Sequence, residues 1–349
     1  MASVVLITGV TRFLGAQLAA ELVSDPSIER VIGVDHAPPR KADQARLGRT
    51  EFVRADIRNP LIAKVLTQAR VDTVVHAPLT GRPRGVSGRL PNAEHNVLGT
   101  MQLLAACQKS DSVRRLVLES TTAVYGSGAA DPAVFTEDMH SAGCPLTGYA
   151  KDAVEIEGYV RGFGRRRADI AVSVLRFAPM IGPTVDSPLA HYLAMPIVPT
   201  SLGYDPRLQL LHESDAVEVL RLAASGRDAG VVNVAADGVI ALSQAVRRAG
   251  RVRLPVPAAA ISAVGALVRN SGVLEFSAEQ AAFLNYGRVV DTARLREQFG
   301  YQPRYTTEAA LDSYLEESAR LPRLGASVLE AVQRMVTPTP PQLTTGTGA

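Results

Sequence analysis

Two cysteines, Cys107 and Cys144, are all that the 349 residues contain. This scarcity excludes a disulfide framework and a cysteine-built zinc site, and it suits a reducing compartment. An excess of one charge is also missing. The 37 Lys and Arg against 34 Asp and Glu leave a formal +3, too little to bind nucleic acid through its phosphates. The basic clusters Arg82-Pro83-Arg84 and Arg165-Arg166-Arg167 read as a solvated loop and a helix end. No apolar run is long enough to span a bilayer; the most apolar late stretch, 254–268, is short and carries Pro255 and Pro257. The first apolar run has no basic leader, so it is not a signal peptide. Internal repeats are absent, and neither His76 nor His212 has the clustered partners of a metal site. These absences lead us to expect a cytoplasmic protein without metal, membrane span or nucleic-acid partner.

The first fifteen residues organise what is present. Val4-Val5-Leu6-Ile7 is an apolar, β-branched run that reads as a buried parallel strand. A glycine turn follows, Thr8-Gly9-Val10-Thr11-Arg12-Phe13-Leu14-Gly15, and then a helix with Leu14, Leu18 and Leu22 on one stripe. Strand, glycine turn and helix make a dinucleotide-binding unit whose helix N-terminus faces a diphosphate. The next strand, Val31-Ile32-Gly33-Val34, ends in Asp35, at the spacing where an acid meets the adenosine ribose. Strands then alternate with helical patterns. We read strands at 51–58 (with Asp56 at the end), 71–76, 114–121 and 170–176, and helices at 62–69, 92–110 and 148–162. This alternation predicts a doubly wound parallel α/β sheet. After Ala178, prolines at 179, 183, 188, 196 and 199 mark an irregular region. The runs 208–212 and 230–235 read as strands returning to the main sheet, while 243–250 and 258–270 read as helices of a smaller lobe.

These ordered motifs resemble the extended short-chain dehydrogenases/reductases, within them the NAD-dependent epimerases/dehydratases such as UDP-glucose 4-epimerase. The resemblance runs from the first strand to about residue 310. It rests on the glycine turn, on Asp56-Ile57-Arg58, on Val74-Val75-His76-Ala77, on Asn96-Val97-Leu98-Gly99-Thr100 and on Ser120-Thr121-Thr122-Ala123-Val124-Tyr125-Gly126. Further pieces are 175–183, the crossing into the substrate lobe, and 291–303, with Leu295, Gly300 and Tyr301. It implies a Rossmann domain over 1–178, with returning segments at about 204–236 and 286–310. A smaller C-terminal substrate lobe covers 179–203 and 237–285. The Pro-, Thr- and Gly-rich 337–349 reads as a disordered tail.

The resemblance also implies site residues. Gly9, Arg12, Phe13, Leu14, Gly15, Asp35, Asp56, Ile57, His76, Ala77, Asn96 and Lys151 would hold the coenzyme. Thr121, Tyr149 and Lys151 would serve catalysis. Asp35 favours NAD over NADP by repelling a 2′-phosphate, although Arg40 and Lys41 stand nearby. The substrate would be a small molecule, a nucleotide sugar or similar hydroxylated compound, and the two helices 92–110 and 148–162 would form a homodimer.

Three departures bear on chemistry. Arg12 replaces the middle glycine of the turn, where it offers a phosphate a guanidinium or blocks the usual pose. The family pairs a tyrosine with a lysine four residues on, so that both share a helix face. Here Pro145-Leu146-Thr147-Gly148-Tyr149-Ala150-Lys151-Asp152-Ala153-Val154-Glu155 supplies only one partner in either register. Anchoring on Lys151, with Glu155 as the family's following acid, puts Thr147 at the tyrosine position; anchoring on Tyr149 puts Ala153 at the lysine position. We favour the Lys151 register for its gapless alignment downstream, and Tyr125 is a further phenol near the site. Finally, Pro179 stands where the family has an asparagine that contacts the substrate's nucleotide. An active oxidoreductase is therefore one reading. A coenzyme-binding sensor without turnover is the alternative, and a structural partner with Arg12 filling the nucleotide site is a third.

Overall fold

The computed structural model describes residues 3–39, 41–78, 89–140, 148–228, 230–257 and 278–320. The stretch 258–270, the tail 337–349, Thr147 and Cys144 lie outside these residues.

The first six strands are β1 (Ser3–Thr8), β2 (Ile28–Asp35), β3 (Glu51–Arg54), β4 (Thr73–His76), β5 (Arg115–Thr121) and β6 (Ala171–Phe177). Short strands follow at β7 (Met180–Ile181), β8 (Ile197–Ser201), β9 (Arg207–Leu208) and β10 (Leu211–His212), and then β11 (Val231–Val234). A parallel sheet of seven strands runs in the order β11-β6-β5-β4-β1-β2-β3. Its chain reverses direction across the sheet on either side of β1, the place where open α/β sheets bind ligands at their C-terminal edge. Val5, Leu6 and Ile7 are wholly buried, which is why β1 is apolar on both faces rather than alternating.

Helices cover both faces. On one side lie α1 (Phe13–Ser24), α2 (Lys41–Leu47) and, much later in the chain, the helix Glu213–Ala224. On the other lie α3 (Leu61–Gln68), α4 (Arg89–Gln108) and α5 (Gly148–Arg166). The smaller lobe holds α6 (Pro188–Ala194); the helix Glu213–Ala224 is α7. It also holds β12 (Ile240–Ala241), α8 (Leu242–Arg248), β13 (Val252–Val256), α9 (Ala278–Tyr286) and part of α11 (Thr307–Arg320). The short α10 (Ala293–Glu297) packs back against β11. This lobe has its own apolar core around Leu189, Leu193, Val198, Leu208 and Leu242. Among the described residues no helix is long and apolar enough to cross a membrane, and no cluster of potential metal ligands occurs.

Two expectations need correction. Only β11 of the two late strand runs joins the main sheet. The 208–212 run splits into β9, paired antiparallel with β12, and β10, paired with β7. Four-residue β11 can complete a parallel ladder, whereas the backbone between β9 and β10 is pulled into the lobe by Thr307 Oγ1, which accepts from the Leu210 N–H (3.2 Å). The 51–58 strand stops at Arg54, because the Asp56 carboxylate takes the Arg58 N–H (2.9 Å) and turns the chain.

Candidate active site

The glycine turn is tight for a visible reason. Gly9 adopts φ +70°, and a Cβ there would stand 2.7 Å from the Ala77 carbonyl. A Cβ on Gly15 would stand 2.4 Å from the Gly9 oxygen, so β1, β4 and α1 approach as closely as backbones can. The first turn of α1 has no side-chain cap and no acid, which leaves its N–H groups and positive dipole end available to an anion. We expect Gly15→Ala to push α1 off the turn. It should weaken nucleotide binding by an order of magnitude or more in a calorimetric titration, while circular dichroism still reports an α/β fold.

Beside the turn is a cleft lined among others by Gly9, Arg12, Asp35, Ile57 and Ala77. Asp35 closes one end. Its carboxylate accepts from the Thr11 hydroxyl (2.6 Å) and the His36 N–H (2.8 Å), and it pairs with the His36 ring (2.9 Å). Burial opposes its charge, but Thr11 and the Arg12 guanidinium win and hold the carboxyl below the usual range. Asp56 pairs with Arg58 at the rim (2.6 Å). Leu14 is buried in the core under α1, and Phe13 packs half-buried against it.

The floor beneath β4 is locked by a directional chain. Thr100 Oγ1 donates to the Asn96 carbonyl (2.6 Å), so it must accept from His76 Nε2 (2.8 Å); His76 Nδ1 then accepts from the Thr8 hydroxyl (2.7 Å). His76 is thus a buried strut with both ring nitrogens engaged. Among the described residues, Asn96 Oδ1, one turn before Thr100, is buried with no hydrogen-bond partner. A buried acceptor of this kind calls for a donor.

Arg12 crosses between the two halves of this edge. Its Nη1 donates to the Ala77 carbonyl (3.0 Å), and its charge acts on Asp35 on one side and Glu119 on the other. Past it lie Thr121 and Tyr149. Thr121 ends β5 and caps the 3-10 turn that follows, its Oγ1 accepting from the Ala123 N–H (3.2 Å). Tyr149 neighbours Thr121, which works to lower the phenol, but burial first, then the Glu119 charge, push it above its ordinary value.

Lys151 does not join them. It is exposed on the far side of α5, while Ala153 is buried at 1% exposure, four residues after Tyr149. Glu155 is exposed as well, and the buried acid is Glu157. The register anchored on Lys151 is therefore corrected: α5 turns Tyr149, Ala153 and Glu157 inward, as a spacing of four demands. Glu157 accepts from Ser120 Oγ (2.6 Å) and pairs with Arg176 (2.6 Å). Tyr125 is spoken for, donating to Asn233 Oδ1 (2.7 Å) and accepting from Arg176 (2.8 Å). Pro179 offers its carbonyl to the Leu211 N–H (3.1 Å), a lobe-joining role that needs no side-chain amide.

Sequence reasoning passed over Glu119, whose signal was a carboxyl in the otherwise apolar Leu116-Val117-Leu118 strand. It also passed over Arg288, whose guanidinium is buried and donates to the Gly126 carbonyl (2.7 Å) and Ser127 Oγ (3.0 Å). Cys107 is buried and burial pushes its thiol up to about 12, so it is inert.

The sequence profile of the NAD dependent epimerase/dehydratase family matches residues 5–235. An uncharacterized protein of Mycobacterium tuberculosis is 54% identical over 311 residues, covering 89% of this chain and 83% of its own. UDP-glucuronic acid 4-epimerase from Bacillus cereus, solved with UDP-glucuronic acid and NAD, superposes with a TM-score of 0.70 at 17% identity, over 91% of this chain and 100% of that one. UDP-glucose 4-epimerase from Thermotoga maritima, solved with UDP-glucose, gives 0.69 at 18%, over 91% and 99%.

Proposed function

Since the chain belongs to the NAD-dependent epimerase/dehydratase family, we propose that it binds NAD along the C-terminal edge of the sheet and acts on a secondary hydroxyl of a nucleotide sugar or similar compound. The observation that carries this reading is the pairing, at one edge, of the uncapped α1 turn with Thr121 at the end of β5 and its neighbour Tyr149. The diphosphate would lie on the Gly9–Gly15 turn, with Arg12 beside it as a cation. Asp35 would take the adenosine ribose and disfavour a 2′-phosphate. The orphaned Asn96 oxygen would receive a coenzyme donor. When bound, NAD supplies the hydride acceptor. Thr121 and Tyr149 hold the substrate oxygen in position, and Arg12 and Glu119 set the local charge. The same reading places the protein in the cytoplasm as a homodimer through α4 and α5, where Leu98, Met101 and Val154 are exposed.

A sensor that binds the coenzyme without turnover is the second reading, favoured by Ala153 where the family carries a lysine. Calorimetric titration followed by a panel of UDP-, GDP- and dTDP-sugars separates the two. NAD should bind at least about tenfold more tightly than NADP, and Lys151→Ala should leave NAD affinity within about twofold because an exposed lysine there does not reach the cleft. NADH formation or epimer exchange identifies the enzyme, whereas binding with no turnover across the panel identifies the sensor. Failure of NAD to bind sinks both.

A further inference from the structure

Arg288 is a buried cation without a matched anion. The residue is 8% exposed. Among the described residues its guanidinium makes two hydrogen bonds and no ion pair: Nε donates to the Gly126 carbonyl (2.7 Å) and Nη2 to Ser127 Oγ (3.0 Å). Both acceptors are neutral, and both are met by one edge of the planar fork. The other edge, Nη1 with the second hydrogen of Nη2, has no acceptor among the described residues. The carboxylates that act on the group through space are engaged elsewhere. Glu279 Oε2 accepts from the Ala150 N–H (3.3 Å) and Asp131 Oδ2 from the Gly128 N–H (2.6 Å). Burial pulls the guanidinium down to about 10 in spite of them. Buried Arg176, by contrast, is matched by Glu157 at 2.6 Å. Arginine keeps its proton at neutral pH, so a guanidinium buried in this way calls for an anion from outside the chain.

Contacts from three directions tie this guanidinium to the site. Gly126 closes the 3-10 turn that Thr121 caps, so Nε is fastened to the far end of that turn. The guanidinium lies 5.3 Å over the Phe283 ring of α9. Glu279 stands four residues before Phe283, hence on the same face of α9, and reaches the Ala150 N–H beside Tyr149. Gly287 holds the chain just before Arg288: it adopts φ +70°, and a Cβ there would run into the Arg207 carbonyl.

We propose that Arg288 determines substrate specificity by receiving a carboxylate on the sugar, so that the substrate is a nucleotide sugar of the uronic-acid type. The inference rests on the reading of the site as a nucleotide-sugar one. A carboxylate offers two coplanar oxygens, which match the two parallel N–H groups of the open edge. A diphosphate has the same charge chemistry, but the contacts tie Arg288 to Thr121 and Tyr149, which hold the reacting hydroxyl. The anion it meets therefore belongs to that sugar. An uncharged sugar would cover the guanidinium without matching its charge, so the same residue rejects it.

Calorimetric titration of the whole protein, with NAD present, tests this with pairs that differ by the carboxylate. The pairs are UDP-glucuronic acid with UDP-glucose and GDP-mannuronic acid with GDP-mannose, beside UDP and GDP alone. In whichever pair binds, the uronic acid should bind at least about tenfold more tightly than its neutral partner. In Arg288→Met that preference should fall to about twofold or less, and Arg288→Lys, which keeps the charge and loses the fork, should retain part of it. Equal affinity within the pair for the parent protein overturns the proposal, and so does a preference that survives in Arg288→Met. If Arg288→Met weakens the free nucleoside diphosphate as much as the uronic acid, the guanidinium serves the diphosphate and the proposal is overturned. Arg288 also ties the turn to the smaller lobe, so its variants are checked for folding by circular dichroism; the comparison within each pair on the parent protein stands whether or not they fold. Binding of neither pair defeats the nucleotide-sugar reading and this proposal with it, whereas binding without preference defeats the proposal alone.

Discussion

Replacing Glu157 by leucine will cost about 3–5 kcal/mol of folding free energy, the largest single-site loss we expect in this chain. Arg176 and Glu157 are both nearly inaccessible, at 4% and 5% side-chain exposure, and meet in a two-pronged contact: Nη2 to Oε2 at 2.6 Å and Nε to Oε1 at 3.0 Å. Burial works against the arginine's charge, but the Glu157 hydrogen bonds and charge outweigh it, and the guanidinium is held above its ordinary value. Arginine cannot escape by deprotonating, so losing the glutamate strands a cation inside the protein. The remaining partners, the Tyr125 hydroxyl (2.8 Å) and the Glu137 carbonyl (3.0 Å), are neutral. The double variant Glu157→Leu with Arg176→Met should recover most of the loss, because an apolar pair avoids the desolvation of two ions. Urea denaturation of the two single variants and the double completes the cycle. A single-variant loss below about 1 kcal/mol would show that the pair is not sealed from water as described.

Glu119→Gln will change the pH dependence of stability in the opposite sense. The Glu119 carboxyl moves from an ordinary 4.5 to about 7 on folding. Between those two values the native protein binds a proton that the unfolded chain has released. Stability is therefore full below about pH 4.5 and declines as pH rises through 7, by up to about 3 kcal/mol from this residue. The glutamine variant has no such proton to lose. It should be about 1–3 kcal/mol more stable than the parent at pH 8, after allowing for Arg12 losing a partner, and close to it at pH 5. Equilibrium unfolding in urea at both pH values reads the difference. Equal stability of the two proteins at pH 8 would mean that Glu119 ionises as freely in the fold as out of it.

The alternation of apolar strands with amphipathic helices, the glycine turn and the acid at the end of β2 are local patterns. Each is dictated by a short stretch of chain: period two or unbroken apolarity for buried strands, period 3.6 for helices, and positions that exclude a Cβ. The parallel doubly wound sheet and the nucleotide-facing turn were legible for that reason, whereas the order of its strands was read only from the structure. The lobe strands were less so. Two-residue strands such as β9, β10 and β12 carry too little sequence to mark a partner, and their pairing goes with contacts between distant segments, the Leu210 N–H with Thr307 Oγ1 and the Leu242 N–H with the Pro206 carbonyl.

The sequence by itself determined that β1, Gly9, Gly15 and α1 form an anion-receiving turn, because the steric demand lies within fifteen residues. Only the tertiary structure decided which residues share the site. The inward face of α5 is chosen by the buried partner waiting for it, and Arg176, on a strand packed beneath that helix, selects Glu157 over Glu155 and so turns Tyr149 in and Lys151 out. Likewise the charge of Glu119 is set by burial and by Arg12, which lies 107 residues earlier in the chain (119 − 12). Desolvation and long-range Coulomb energy depend on what surrounds a group in space, and neighbours in the chain do not report it.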